Sequence, residues 1–320
     1  MEKELYQAAN EACLSSQSHL FHAALQTLRS CNHLTVGKLL GRGSRSYVYE
    51  LPQLHHYVLQ TKNLISEYLE AQTDSFEPVA CRIPELNIGQ AVLKSVDGQF
   101  CLLRRQIGVT YTIPFARFFD EYGIDALLGH NQPLEEKDTA PYRKEYALHL
   151  EKIARMPQKA YDKLVQRIQL IKQKGLYLDP CSLNILLDEA TSSFNTLDHF
   201  EPIGPYENVL GLACALMDTM YVYLDEHAIG LKKTAFSNTV ANEPTLIFFR
   251  QQILIKLLMA ASKSGLSLPE QACPKNYFGF HQKSFDMNYV LRISGCKIDF
   301  SQLQTLWESE PVILFSRIAA

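Results

Sequence analysis

The chain has 320 residues, enough for one large domain or two lobes around a substantial core. Hydrophobic residues make up 47% and charged residues 20%, the balance of an ordinary soluble globular protein rather than a disordered one. The net charge of −3 removes any overall electrostatic reason to expect nucleic-acid binding.

The first thirty or so residues read as helix: Leu5, Ala8, Ala9 and Ala12, then Leu20, Ala24, Leu25 and Leu28, recur at helical spacing without proline. No positively charged start precedes an apolar run, so no secretory signal peptide is expected. From Leu34 to Ile107 the texture changes to short apolar and aromatic runs, Tyr47 to Leu51, Tyr57 to Thr61, Ala91 to Val96 and Phe100 to Leu103. Glycines and prolines break them, and Asp97-Gly98 between the last two is a hairpin signal. Between the second and third of these runs, Leu64 to Gln72 reads as helix. The region is expected to be an antiparallel sheet with one inserted helix.

After Gly108 helices dominate. The clearest runs from Pro157 to Gly175, with Tyr161, Leu164, Val165, Ile168 and Ile171 on one face and Gly175 as the stop. Two short strands, Asn184 to Leu187 and Phe194 to Leu197, flank a polar turn. Val209 to Leu224 and Thr245 to Ala261 are strongly apolar, but Asp218 interrupts the first and Arg250 and Lys256 the second. Both are expected to be buried helices and not membrane spans. The eight cysteines are scattered with no C-x-x-C pair, which speaks against a structural zinc and for reduced, buried thiols in a cytosolic compartment.

Three segments carry chemistry. Leu39-Leu40-Gly41-Arg42-Gly43-Ser44-Arg45-Ser46-Tyr47-Val48-Tyr49 reads as strand, turn, strand, and its glycines let backbone amides approach phosphate oxygens. Val48 has the spacing of a side chain that covers a nucleotide base. Tyr177-Leu178-Asp179-Pro180-Cys181-Ser182-Leu183-Asn184 follows the long helix, and Asp198-His199-Phe200 ends the second short strand. An aspartate, an amide oxygen five residues later and a second aspartate across a strand hairpin can converge on one point. Phosphoryl transfer needs such a set, one group to orient the attacking hydroxyl and hard oxygen ligands for a divalent metal. Taken singly, Asp179 also suits a turn before Pro180, and Asn184 and Asp198 suit strand ends.

In this order the segments resemble the protein-kinase-like superfamily over about Thr35 to Leu224. Gly41, Gly43, Ser44 and Val48 fall on its glycine-rich loop, with Ser46 in place of the third glycine. Asp179 and Asn184 match the D-x-x-x-x-N catalytic loop, and Asp198 matches the metal-binding aspartate of D-F-G. The resemblance implies an α+β, two-lobed kinase-like fold. Residues 1–33 are expected to form an N-terminal helical extension, 34–107 a β-rich N-lobe and 108–320 an α-rich C-lobe. It implies ATP and Mg2+ or Mn2+ as cofactors, with Asp179 orienting the acceptor hydroxyl and Asn184 and Asp198 holding metal.

The chain departs from the family pattern at several places. In Tyr57-Val58-Leu59-Gln60-Thr61-Lys62, Gln60 stands where the phosphate-contacting lysine belongs, and Lys62 lies two residues on, on the same face by strand alternation. Lys62 is the catalytic and nucleotide-contacting candidate, and Glu67 or Glu70 is its partner, Glu70 being preferred. Tyr177 replaces the usual histidine, and His199 and Phe200 replace the phenylalanine and glycine after the metal-binding aspartate. From Asp198 to the apolar helix there is no A-P-E motif and little room for a peptide-docking segment. The pattern is closer to aminoglycoside or choline kinases, or to the minimal kinases that bacterial pathogens secrete into host cells. Asp218 is expected to anchor the catalytic-loop backbone.

A basic stripe (Lys152, Arg155, Lys159, Lys163, Arg167, Lys174, with Lys172 nearby) faces only Asp162. It reads either as a solvated helix face or as a dock for a polyanion such as an inositol phosphate or phosphoinositide. The leading expectation is an atypical kinase transferring the γ-phosphate of ATP to a hydroxyl, with a protein acceptor, in the cytoplasm, or the host cytoplasm if it is a secreted effector. The alternatives are a small-molecule or lipid kinase, a pseudokinase acting as a binding scaffold, and an AMP transferase on the same fold.

Overall fold

A computed structural model describes residues 36–42, 46–52, 57–62, 91–94, 100–104, 109–110, 136–173, 177–178, 185–196, 199–200, 209–227, 240–270 and 286–309. They form a mixed α+β structure, and the chain divides into two compact units, Met1–Gln106 and Ile107–Ala320.

The first unit carries a five-stranded antiparallel sheet. Its strands are β1 (Leu39–Arg42), β2 (Ser46–Glu50), β3 (Tyr57–Lys62), β4 (Ala91–Lys94) and β5 (Phe100–Arg104), in the order β1-β2-β3-β5-β4. These match the expected apolar runs to within a residue or two at each end. The inserted helix at Leu64 to Gln72, the Asp97-Gly98 turn and the N-terminal helix lie outside the described residues. β3 is central in the sheet, and Val58 and Leu59, which point to opposite faces, are both buried, so the strand is covered on both faces there. β1 carries a bulge between Leu39 and Gly41. Such an irregularity bends a strand end locally, here beside the glycine loop.

The second unit is helical around two small antiparallel sheets. β6 (Val109–Thr110), β8 (Ile185–Asp188) and β9 (Ser193–Thr196) form one, in the order β6-β8-β9; β7 (Tyr177–Leu178) and β10 (His199–Phe200) form the other. The helices are α1 (Glu136–Arg155), α2 (Gln158–Gln173), α3 (Val209–Met217), α4 (Thr219–His227), α5 (Pro244–Ser262), α6 (Met287–Ile293) and α7 (Phe300–Ser309). α5 is the hub, packed against α1, α2 and α3, while α2 also rests on β9. Tyr161, Leu164, Val165 and Ile168 are buried as their helical spacing requires, with the Tyr161 ring edge-on to Phe194 at 5.2 Å.

Helix ends explain the joints. Met156 and Pro157 separate α1 from α2, because proline cannot continue the hydrogen-bond ladder of α1. The carbonyls left open at the end of α1 are taken up from elsewhere. Tyr161 Oη donates to Ile153 O at 2.9 Å, and Lys256 Nζ donates to Ala154 O at 2.5 Å and Met156 O at 2.7 Å. An ammonium at a helix C-terminus also answers the helix dipole. Burial nonetheless lowers the Lys256 pKa. Pro244 opens α5, where its missing N–H costs nothing, and the Asp286 side chain caps α6 by accepting from Asn288 N at 2.6 Å.

The apolar run Val209 to Leu224 is two helices rather than one. Asp218 adopts a left-handed backbone (φ 47) between α3 and α4. Aspartate enters that region more easily than most residues, so the chain turns there without glycine. Every residue of α3 is buried. The second apolar run, α5, is continuous. Among the described residues it alone is long and apolar enough to cross a membrane, yet Leu246, Ile253, Leu254, Leu257 and Leu258 are buried within the unit.

Candidate functional site

β1 and β2, which flank the glycine segment, pair antiparallel: Gly41 opposes Val48 and Arg42 opposes Tyr47, so the two strands of the expected strand–turn–strand are present. Gly43 and Ser44 lie outside the described residues.

β2 then aligns the loop with β3. Val48 opposes Gln60 and Ser46 opposes Lys62, in a ladder that runs without irregularity from Ser46 to Glu50. Gln60 and Lys62 are therefore alternate positions of one regular strand. Gln60 is level with Val48 and Gly41, whereas Lys62 is two residues nearer the hairpin tip, level with the serine that replaces the third glycine. Glu67 and Glu70 lie outside the described residues.

In the second unit, strand ends adjoin the expected Asp179–Asn184 and Asp198 positions in the chain. Leu178 pairs with His199 and Tyr177 with Phe200, so the residue before Asp179 and the residue after Asp198 stand opposite each other in one antiparallel ladder. Asn184 is followed directly by Ile185, which pairs with Thr196 in the β8–β9 hairpin. Asp179, Asn184 and Asp198 themselves lie outside the described residues. What is described is the set of strand ends from which all three emerge.

The hairpin between β8 and β9 is closed by a side chain. Asp188 Oδ1 accepts from Ala190 N at 3.1 Å and Thr191 N at 3.3 Å, and Oδ2 accepts from the Thr191 hydroxyl. Aspartate is thus both the last strand residue and the turn former, which is why β8 extends one residue beyond the apolar run. The β7–β10 pair escaped the sequence reading, since two-residue strands carry no periodicity.

The helices of the second unit hold a buried polar network. Arg250, fully buried in α5, donates from Nε to Ile293 O at 2.6 Å and from Nη2 to Ala241 O at 2.8 Å, with Nη1 3.5 Å from Tyr146 Oη. Tyr146 Oη donates to Met217 O at 2.8 Å, the last residue before Asp218. Asp225 accepts from Arg143 Nε at 2.8 Å and Val240 N at 2.8 Å. Asp218 is buried beside Tyr146 and Tyr221. Burial pushes the Tyr146 phenol up to about 12, with the Arg250 charge opposing and Asp218 and Asp225 reinforcing. Burial, then Asp225, raises Tyr221 as well. Arg250 was visible in the sequence only as an interruption of an apolar run; Tyr146 gave no signal.

The basic residues do not form one stripe. Lys152 and Arg155 belong to α1, where they pair with Glu189 at 2.6 Å and Glu151 at 2.5 Å. Arg167 is half-buried against β9, donating to Asn195 Oδ1 at 3.0 Å, and burial lowers its pKa. Lys159, Lys163 and Lys172 are exposed on α2. Lys174 lies outside the described residues.

Among the described residues no group of three or more His, Cys, Asp or Glu side chains could hold a metal ion. The expected ligands Asn184 and Asp198 are not among those residues. No protein-family model matches the chain, and no curated protein matches it.

Proposed function

We propose that the chain is an atypical, two-lobed kinase-like phosphotransferase that uses ATP and a divalent cation. The observation that supports this best is the β7–β10 pair. It joins the residue before Asp179 to the residue after Asp198, while β8 starts directly after Asn184. An acid-base aspartate and two metal-binding side chains must gather within a few ångströms of a phosphoryl group, and adjacent strand ends suit that demand.

In this reading Asn184 and Asp198 would hold Mg2+ or Mn2+, which neutralises charge on the transferring phosphate when bound. Asp179 orients the acceptor hydroxyl and receives its proton as the new O–P bond forms and ADP leaves. Gly41, Gly43 and Ser44 offer backbone amides to the phosphates, and Val48 packs on the base. Lys62 steadies the phosphates from a position one strand repeat closer to the loop tip than Gln60, with Glu70 as its partner. Its register opposite Ser46 is what favours Lys62 over a site without any lysine.

For the acceptor the leaning expectation is a protein, which the sequence does not by itself decide. A small-molecule acceptor is favoured by one observation. β10 ends at Phe200 and α3 begins, fully buried, at Val209, which leaves residues 201–208 as the whole interval in which a peptide-docking segment could be built.

The test is label transfer by the purified full chain in magnesium and manganese, beside Asp179→Ala and Asp198→Ala. Transfer from γ-labelled ATP, lost in both variants, is the expected result. Transfer from α-labelled ATP would instead make the chain an AMP transferase. No transfer, with nucleotide still bound, would make it a pseudokinase. Activity surviving in Asp198→Ala would overturn the metal assignment.

A further inference from the structure

We propose that the outward surface shared by α5 and α2 docks the second unit onto a membrane bearing anionic headgroups. Two independent features meet there. The first is an apolar face on α5 that the unit leaves open. Helices apolar all round are normally enclosed, but only 44% of the most apolar stretch of α5 is buried. Phe248, Ile255 and Met259 recur at i, i+7 and i+11, which places them along one side of the helix. Phe248 is 54% exposed, and Ile255 and Met259 are partly exposed.

The second feature is positive charge immediately beside that face. α2 is fastened along α5 by Gln158 Nε2, which donates to Lys256 O at 2.9 Å, and by the Asp162–Lys263 pair at 3.6 Å. The residues next to these contacts, Lys159 and Lys163, form an i, i+4 pair on the outer side of α2. Both are exposed, and neither has an ion-pair partner among the described residues. Lys263, 59% exposed, stands on the seam between the two helices.

An apolar stripe bordered by lysines matches the two layers of an anionic bilayer surface, acyl chains beneath and phosphates above. Each basic residue near such a surface contributes about fivefold in affinity, and a single signal of either kind gives only marginal binding. Charge complementarity is what selects this occupant over a second copy of the chain, which would set like-charged lysine pairs against each other. The proposal does not depend on the chain being a phosphotransferase.

The experiment is vesicle flotation of the full chain. One set of vesicles is phosphatidylcholine alone and the other contains about one-third phosphatidylserine, at salt from about 0.1 to about 0.5 M. Binding to the anionic vesicles alone, weakening with salt, is expected. Lys159→Glu with Lys163→Glu, and separately Phe248→Ser with Met259→Ser, should each weaken it at least about tenfold. Absence of binding, or affinity within about twofold of the parent in either double variant, would overturn the proposal. So would a concentration-dependent dimer abolished by Phe248→Ser without vesicle binding, which would assign the face to a second copy. Should the double serine variant melt early, Phe248→Trp replaces it. The introduced indole should shift to shorter emission wavelength and be quenched by brominated acyl chains; unchanged emission on anionic vesicles also overturns the idea.

Discussion

α3 and α5 look alike as strings of apolar residues, yet the protein treats the polar residue that interrupts each in opposite ways. At the end of α3 the chain breaks, and Asp218 sits in a left-handed turn between two helices. In α5 the helix runs straight through Arg250. The difference lies in reach. A short aspartate cannot reach across the core, but it enters the left-handed region more easily than most residues, so the chain can turn at Asp218. A guanidinium on a long stem extends across the core to carbonyls on other elements, Ile293 and Ala241, and leaves its own helix intact. Both solutions converge on Tyr146, which touches Arg250 and the carbonyl of Met217. Buried charge in this protein is therefore a joint between elements.

The strongest way to break that comparison is to shorten the arginine. Arg250→Ala removes the donors from two buried carbonyls and leaves a cavity at the meeting of α1, α5 and α6. A loss of about 3–5 kcal/mol is expected in denaturant unfolding. A loss below about 1 kcal/mol would mean that water reaches those carbonyls and that the joint is not dry.

Much of this was legible beforehand. The strands of the first unit and β8 follow from short apolar runs bounded by turn residues, and the α2 face from 3.6-residue periodicity, because one side of that helix is buried over several turns; β8 itself is buried at all four positions and shows no alternation. The break at Asp218 was not legible, since apolarity continues on both sides and only the backbone reveals the turn. Nor was the split of the basic stripe. Lys152 and Arg155 keep the angular phase of α2, but Pro157 ends the helix they belong to. At the candidate site, Asp179, Asn184 and Asp198 are proposed from spacing alone and lie outside the described residues. The β7–β10 pair that frames them depends on contacts twenty residues apart, and no local signal carries it.

Alkaline pH tests the same joint without mutation. Burial holds the Tyr146 phenol at about 12, above its ordinary value of 10.0, so the folded state keeps the proton more tightly than the unfolded chain. Its contribution is complete below pH 10 and is lost as the pH rises through about 12. Tyr161, Tyr221 and Tyr289 are raised for the same cause. The melting temperature should fall across this window, together with a late tyrosinate absorbance step. Tyrosines that all ionise near 10, before unfolding, would show the interior to be wet.

Gly295 probes the covered side of α5. It adopts φ 68, and an added Cβ would lie 2.6 Å from Ile247 Cγ2. Gly295→Ala combines backbone strain with overlap and should cost about 1–3 kcal/mol. Ile247→Ala in the same chain should return the overlap part but not the strain. Full recovery would show that the turn after α6 relaxes freely.

The finest contrast is between two tyrosines whose rings lie 5.2 Å apart. Tyr146 Oη donates to Met217 O, whereas Tyr221 Oη is buried with no hydrogen-bond partner among the described residues. Removing the first hydroxyl orphans a carbonyl beside the Asp218 turn, and Tyr146→Phe should cost about 1–2 kcal/mol. Removing the second deletes an unmet polar group, so Tyr221→Phe should be neutral or stabilise by up to about 1 kcal/mol. Equal losses in both variants would mean that the Tyr221 hydroxyl has a bridging partner, and that the turn at Asp218 is held from α4 as well as from α1.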